Sequence, residues 1–381
     1  MKKILVIHNK YQETGGEDIA VSEEIKFLKK NFIIEELIFS NEIDNLFSQI
    51  FYFLLNKNLN SMKSLKKLLN EFNPDYVYVH NTWYKASLGI FTVLKKSNAE
   101  IIIKLHNFRY FCTKSYFQKN HFSQSNYCQG CGNEKSKIIL NKYFKNSWLR
   151  SILISRYGNK YFKILKKAKL KIVVLTKFHK QFLINQNFNE EKIYVCNNFL
   201  QVSQKFSELK NKYLVYSGRI SEEKGVRELI DNFLKSDLKD FKLKIIGDGP
   251  ILKELKNAYK DYQNIHFLGS MSNDDARETI SKCYAVVSCT KLYEGQPTLL
   301  CEASMLNKVS IFPNTGGVKE FYPNNYPFLY EKFDYKDFLV KLNLLNNSNL
   351  VTQQSTENYE FMNNLISEEN ILNFQNEIFS I

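Results

Sequence analysis

Glu294 and Glu302 lie eight residues apart in YEGQPTLLCEASML, residues 293–306, directly after the apolar run YAVVSC. Pro297 suits the first turn of a helix, where a missing N–H costs nothing. Glu294 then falls in the loop and Glu302 about one turn inside the helix. The free N–H groups between Gln296 and Leu299, through Thr298 and with Gly295 before them, are expected to point out of the helix start and form an anion site suited to a phosphate. An ionised carboxylate only accepts hydrogen bonds, so one on each side of that site suits hydroxyl groups, one of a sugar and one of a ribose. On spacing alone, two ordinary surface glutamates near a helix start read equally well.

A second constellation is YSGRISEEKGVRELI, residues 216–230. The run KYLVYSG predicts a strand ending at Gly218, and Ser221 is the expected N-cap of the next helix. Arg219 and Lys224 then sit at the strand's carboxyl edge, where two fixed cations neutralise a diphosphate; a solvated turn with casual charges is the plainer alternative. In TGGEDIAVSEE, residues 14–24, Gly15 and Gly16 let backbone approach a ligand closely, although a simple turn reads as well. In KLHNFRYFC, residues 104–112, His106 and Asn107 end a strand and Arg109 adds a cation; a lone histidine is more often structural than catalytic. IIGDGP, with Gly247 and Gly249, and NTGGVKEF, with Gly316 and Gly317 before a helix, are weaker turns of the same kind.

These residues need a scaffold, and the apolar pattern supplies one. KKILVIH, FIIEELIF, DYVYVH, EIIIKLH, KIVVLT and KIYVC read as strands separated by helix-length amphipathic segments, and KYLVYSG, FKLKIIG, NIHFLG, YAVVSC and KVSIFP repeat the rhythm. Continuous apolar runs predict strands covered on both faces, as in parallel sheets. Two such series in 381 residues predict an α/β protein of two doubly wound, Rossmann-like domains with the active site in the interdomain cleft. The expected boundaries are 1–205 and 212–356, with a terminal helix at about 357–381 that packs back onto the first domain. Asn107–Lys135 breaks the rhythm, and a loop so long is usually functional or mobile.

The net charge of +14 is uneven: residues 1–200 carry 32 Lys/Arg against 15 Asp/Glu, and the rest 21 against 24. Lys135 to Asn189 holds 14 basic residues and no acidic one. An anionic partner of the first half is expected, or else a plain solvated basic face. Aromatic residues at Tyr143, Phe144, Trp148, Tyr157, Tyr161 and Phe162, with FSQIFYFLL at 47–55, suit a peripheral anionic membrane surface. No run of about 18 apolar residues occurs and the first strand is too short for a signal peptide, so a cytoplasmic protein, peripheral on the inner face of the plasma membrane, is expected. No nucleic-acid motif accompanies the charge, and a basic nucleic-acid-binding protein is the less favoured class.

Taken in order, these motifs resemble glycosyltransferase family 4, with the GT-B fold, from Gly15 to about Phe321. Glu294 and Glu302 match the family's Glu-x7-Glu pair, SGRISEEKG resembles its Arg…Lys diphosphate clamp, and IGDGP and Gly15–Gly16 are similar to its glycine loops. LHNFR resembles a bacterial subgroup with Leu-His-Asn-(Tyr/Phe)-Arg, and His106 matches the family's cleft histidine. The resemblance implies a retaining transfer from a nucleoside-diphosphate sugar to a glycan or lipid-linked acceptor, in cell-envelope polysaccharide synthesis. It also implies that Glu294 contacts the donor sugar, that Glu302 contacts the ribose, and that neither cofactor nor metal is required. A nucleotide-sugar epimerase of the same fold is the rival enzyme. Cys112, Cys128 and Cys131 are too few for a four-thiolate zinc site, although His121 could complete a mixed one; three free thiols are the alternative.

Overall fold

The structure, a computed structural model, describes residues 1–11, 16–41, 52, 54–108, 110, 148–200, 202 and 211–379. The chain divides into two compact units, residues 1–199 with 371–381, and residues 200–370. Each is built on one six-stranded sheet, and every strand pair is parallel.

In the first unit the strands are β1 (Lys3–Lys10), β2 (Ile33–Ser40), β3 (Tyr76–Val79), β4 (Glu100–Leu105), β5 (Lys171–Val174) and β6 (Ile193–Val195), in the order β2-β1-β3-β4-β5-β6. Ile4 to Ile7 and Tyr76 to Val79 are buried throughout, because helices cover both faces of a parallel sheet. The last helix, Glu368–Ile378, belongs to this unit from Ile371 onward. Its Ile371, Phe374 and Ile378, with Phe379, pack among Phe32, Tyr76 and Tyr78, and the Tyr76 hydroxyl donates to the Phe379 carbonyl. The chain joins that core at Ile371, not near 357. The helix before it, Ser348–Leu365, stays with the second unit because Val351 and Met362 are buried in the second core.

The second unit contains β7 (Tyr213–Ser217), β8 (Lys242–Ile246), β9 (Ile265–Gly269), β10 (Ala285–Val287), β11 (Val309–Asn314) and β12 (Leu329–Glu331), in the order β12-β11-β10-β7-β8-β9. The order reverses between the adjacent strands β7 and β10, as it does between β1 and β3 in the first unit. Loops leave such a switch point in opposite directions, and the crevice beyond the strands' carboxyl ends holds ligands in open α/β sheets. The loops after β7 and β10 carry the Arg219–Lys224 and Glu294–Glu302 motifs.

Candidate active site

The loop after β7 begins with Gly218, whose N–H donates to the Ile246 carbonyl. Gly247, at φ +130, lies so close to the Gly218 carbonyl that a Cβ there would stand 2.0 Å from its oxygen. Gly249 opens the next turn, and its N–H donates to the Asp248 carboxylate. Arg219 follows on the exposed edge, where its carbonyl accepts from the Tyr216 hydroxyl at 2.9 Å. Ser221 caps only a short 3₁₀ turn, Glu222–Lys224, and its hydroxyl makes no hydrogen bond. The helix Val226–Lys235 starts after Gly225, at φ 67, rather than at Ser221, because the left-handed residue resets the chain direction.

The structure brings Lys224 to Glu294. Its ammonium lies 2.8 Å from Glu294 Oε1, and the Thr290 hydroxyl donates to the same oxygen at 2.9 Å. Burial would raise the Glu294 carboxyl; Lys224, Thr290 and, more distantly, Lys332 outweigh it, and the pKa falls below the usual value. Neighbouring loops pin this one. The Lys291 N–H donates to the Glu223 carbonyl, Thr315 Oγ1 to the Leu292 carbonyl, and the Gly317 N–H to the Glu294 carbonyl. Gly316, at φ +61, must be glycine: a Cβ there would come within 2.3 Å of that same carbonyl.

Pro297 occupies the N-cap, not the first helical turn, since its ψ of 110° is extended; the helix runs Thr298–Met305. Its carbonyl accepts from the Cys301 N–H, and among the described residues no side chain caps the helix; the first-turn N–H groups from Thr298 through Leu299 lack intrahelical partners. Gly295 is buried and Gln296 half-buried beside them. Glu302 lies on this helix and accepts from Arg277 Nε at 2.9 Å. Burial raises the Glu302 carboxyl, with Arg277 opposing. Lys332 follows β12 and sets its ammonium 4.6 Å from the centre of the Tyr293 ring. Burial pushes its pKa down to about 7, against the raising field of Glu294.

In the first unit, the carboxyl ends of β1, β3 and β4 each carry a histidine. His8 pairs with Asp18 at 2.8 Å, and His80 Nδ1 meets His106 Nε2 at 3.0 Å with the two rings stacked. Burial first, then the neighbouring histidines and Lys104, holds His80 and His106 well below the usual histidine pKa. Below them Lys104 pairs with Glu24 at 2.9 Å, and the Tyr78 hydroxyl donates to Glu24 at 2.8 Å. Asn107 donates to Glu17 at 3.1 Å, at the start of the helix Gly16–Leu28. Gly15, Arg109, Cys112, His121, Cys128 and Cys131 lie outside the described residues; Cys196, Cys283, Cys289 and Cys301 are buried free thiols.

The motifs in the sequence do not single out Thr290, Arg277, Lys332 or the paired charges under His106. Lys104 had a signal: a lysine inside EIIIKL needs a buried partner. Tyr157 and Tyr161 correct part of the membrane expectation. Both are buried, with the Tyr157 hydroxyl 2.8 Å from Thr82, so neither ring faces a bilayer. No helix among the described residues is long and apolar enough to cross a membrane.

Two parallel sheets with these strand orders define an α/β protein of the GT-B fold. Over its full length the chain superposes on HepE (Alr3699) of Anabaena, crystallised with UDP, at a TM-score of 0.68 and 12% identity, covering all of both chains. Residues 200–361 match the family model described as glycosyl transferases group 1. The chain is 28% identical over 197 residues to the uncharacterized glycosyltransferase MJ1178 of Methanocaldococcus jannaschii, covering 51% of this chain and 54% of that protein. It is 30% identical over 145 residues to the amylovoran biosynthesis glycosyltransferase AmsD of Erwinia amylovora, covering 35% and 40%. The matched regions thus span about half, or less, of these relatives' lengths.

Proposed function

We propose that the chain is a retaining glycosyltransferase of family 4 that moves a sugar from a nucleoside diphosphate to a hydroxyl of a glycan or lipid-linked acceptor. The observation that carries this reading is the Lys224–Glu294 pair, set at the β7/β10 switch point beside a helix start whose first N–H groups lack intrahelical partners. The barrier is departure of the diphosphate from an oxocarbenium-like carbon. Arg219, Lys224 and the N–H groups near Thr298 stabilise the growing negative charge. Glu294, held ionised, accepts hydroxyl hydrogens of the donor sugar and orients it; Glu302 does the same for the ribose. His106 and Asn107 serve the sugar and acceptor side, with Arg109, Gly15 and Gly16. The leaving diphosphate departs from the face that the acceptor enters, and its freed oxygen takes the acceptor hydroxyl's proton, which retains configuration. The clamp supplies the charge that a metal gives elsewhere, so turnover in chelator is expected.

The named relatives are glycosyltransferases, one of them in polysaccharide synthesis, which favours transfer over epimerisation and an envelope polysaccharide as product. An anionic membrane surface suits the first unit. Leu54, Leu55, Leu59 and Ile152 are exposed, and Lys160 donates to the Leu55 carbonyl at 3.5 Å with Lys57 and Arg156 nearby. The test is calorimetric titration with UDP, ADP and GDP and their sugars. One of them should bind and stabilise the fold, by about 2.7 kcal/mol at a hundredfold excess over Kd. No heat with any of them refutes the reading.

A further inference from the structure

Arg277 lies on the helix Asn273–Ser281, ahead of β10 and 25 residues before the glutamate it holds. The pair is largely withdrawn from water, with side-chain exposures of 11% for Arg277 and 14% for Glu302. Withdrawing two charges is costly unless the geometry is good, and a structural role alone would be met as well by apolar side chains. Among the described residues the Glu302 carboxylate has one hydrogen-bond donor, Arg277 Nε to its Oε1, which leaves Oε2 and one lone pair of Oε1 to accept. A vicinal diol offers two hydroxyl donors at the matching spacing.

We propose that Arg277 is a positioning residue that fixes the Glu302 carboxylate, ionised and turned to accept both hydroxyls of the nucleotide's ribose. This rests on the reading of Glu302 as the ribose carboxylate. Arg277 also decides the charge of Glu302. Among the described residues, the titratable groups set against this carboxyl are Arg277 from the preceding helix and Cys301 on its own. The Cys301 thiol, pushed up to about 12 chiefly by burial, is neutral. Burial already raises Glu302 with the arginine in place. Without the arginine nothing opposes burial, the carboxyl is driven further toward its protonated form, and a protonated carboxyl accepts fewer hydroxyls.

The experiment measures affinity for whichever of UDP, ADP or GDP binds best, and for its 2′-deoxy form, at pH 6 and pH 8. The native protein should prefer the ribose form about tenfold at both pH values, roughly 1.4 kcal/mol. Arg277→Met should bring the ratio close to one at pH 6 and restore part of it at pH 8. Glu302→Gln should abolish the preference at both. Arg277→Gln carries the same expectation if the methionine variant fails to fold. A native ratio and flat pH response in the Arg277 variant overturn this inference alone. A native ratio in Glu302→Gln overturns the ribose assignment beneath it, and absence of any diphosphate binding overturns the site itself.

Discussion

Among the described residues, a lysine, a glutamate and a hydroxyl meet in each of the two units. In the first unit Lys104 and Tyr78 both hold Glu24, and the charged side chains are 1% and 8% exposed. In the second, Lys224 and Thr290 both hold Glu294, and the exposures are 28% and 17%. The chemistry is the same and the setting differs. The first triad lies under the strand ends, beneath His80 and His106, where water and ligand are shut out. The second lies in a loop beyond the strand ends, pinned from both sides yet open. A charged group kept from solvent specifies packing; one fixed at the edge of solvent keeps its charge available to a ligand. Substitution should therefore cost stability in one place and turnover in the other.

The largest effect is expected at Lys104. Replacing it with methionine leaves Glu24 buried without its cation, which costs about 3–5 kcal/mol. Both tryptophans, Trp83 and Trp148, belong to the first unit, so urea unfolding followed by tryptophan fluorescence reads this loss directly. Adding Glu24→Leu should recover much of it, because the stranded charge goes too. A single variant as stable as the native protein would break the comparison at its buried end. Lys224→Ala is the counterpart. It should lower turnover about 10²–10³-fold, the usual loss when a charge-stabilising donor is removed. Its part-exposed pair should contribute only about 1 kcal/mol or less to stability. Near-native turnover in that variant removes Lys224 from the diphosphate site.

Much of this scaffold is written in the apolar runs. Eleven of the described strands coincide with Val/Ile/Leu/Tyr-rich segments, and inner strands such as β1, β3 and β7, covered on both faces, cannot hide in any other composition. β12 escapes, since LYE after Pro327 is too short to form such a run. Within the site, Glu294 and Lys224 are legible from their spacing after strand ends, but their pairing is not. They are 70 residues apart, and only the adjacency of β7 and β10 brings them within 2.8 Å. Arg277 is less visible still, since an arginine in NDDARETIS reads as an ordinary surface charge until the fold lays Glu302 beside it. Pro297 stands one residue ahead of the first helical turn that the sequence predicts for it, because its fixed φ suits the N-cap as well as the first turn; only ψ tells the two apart.

Acid should separate the units. His80 and His106 are held well below the usual histidine pKa, and burial lowers His179 to about 3. All three are neutral when folded and take up protons on unfolding below about pH 6.5. The unfolded state then binds more protons, and stability falls with pH by up to about 1.4 kcal/mol per unit for each histidine. For His179 the loss continues down to about pH 3. Glu294 has the opposite arrangement, a lowered carboxyl whose contribution is complete above about pH 4.5 and fades only below it. Between pH 7 and 5, then, the urea midpoint by tryptophan fluorescence should drop. Exchange-protection factors of β7 and β10 peptides, corrected for intrinsic rates, should hold. Equal loss in both units would show that burial of the histidines does not set the acid limit.

The finest discrimination comes from the two hydroxyls. Tyr78→Phe and Thr290→Val each remove one neutral donor from a glutamate that keeps its lysine. A hydrogen bond to a charged group contributes about 1.5–3 kcal/mol, less where water can replace it. Tyr78 is almost wholly buried, and no water replaces its hydroxyl, so the loss should appear as about 1.5–2 kcal/mol of stability in the tryptophan signal. Around Thr290 the Glu294 carboxylate keeps some access to solvent, so stability should change by about 0.5 kcal/mol or less. What Thr290 does supply is direction: with its donor gone, Oε1 is held by Lys224 alone and the carboxylate can turn. Turnover should fall about three- to tenfold, near 1 kcal/mol, with the larger part in kcat if Glu294 orients the sugar at the transition state rather than on binding. If instead Thr290→Val loses stability and keeps its turnover, the exposed triad is the same kind of structural pair as the buried one, and the contrast between the two settings is gone.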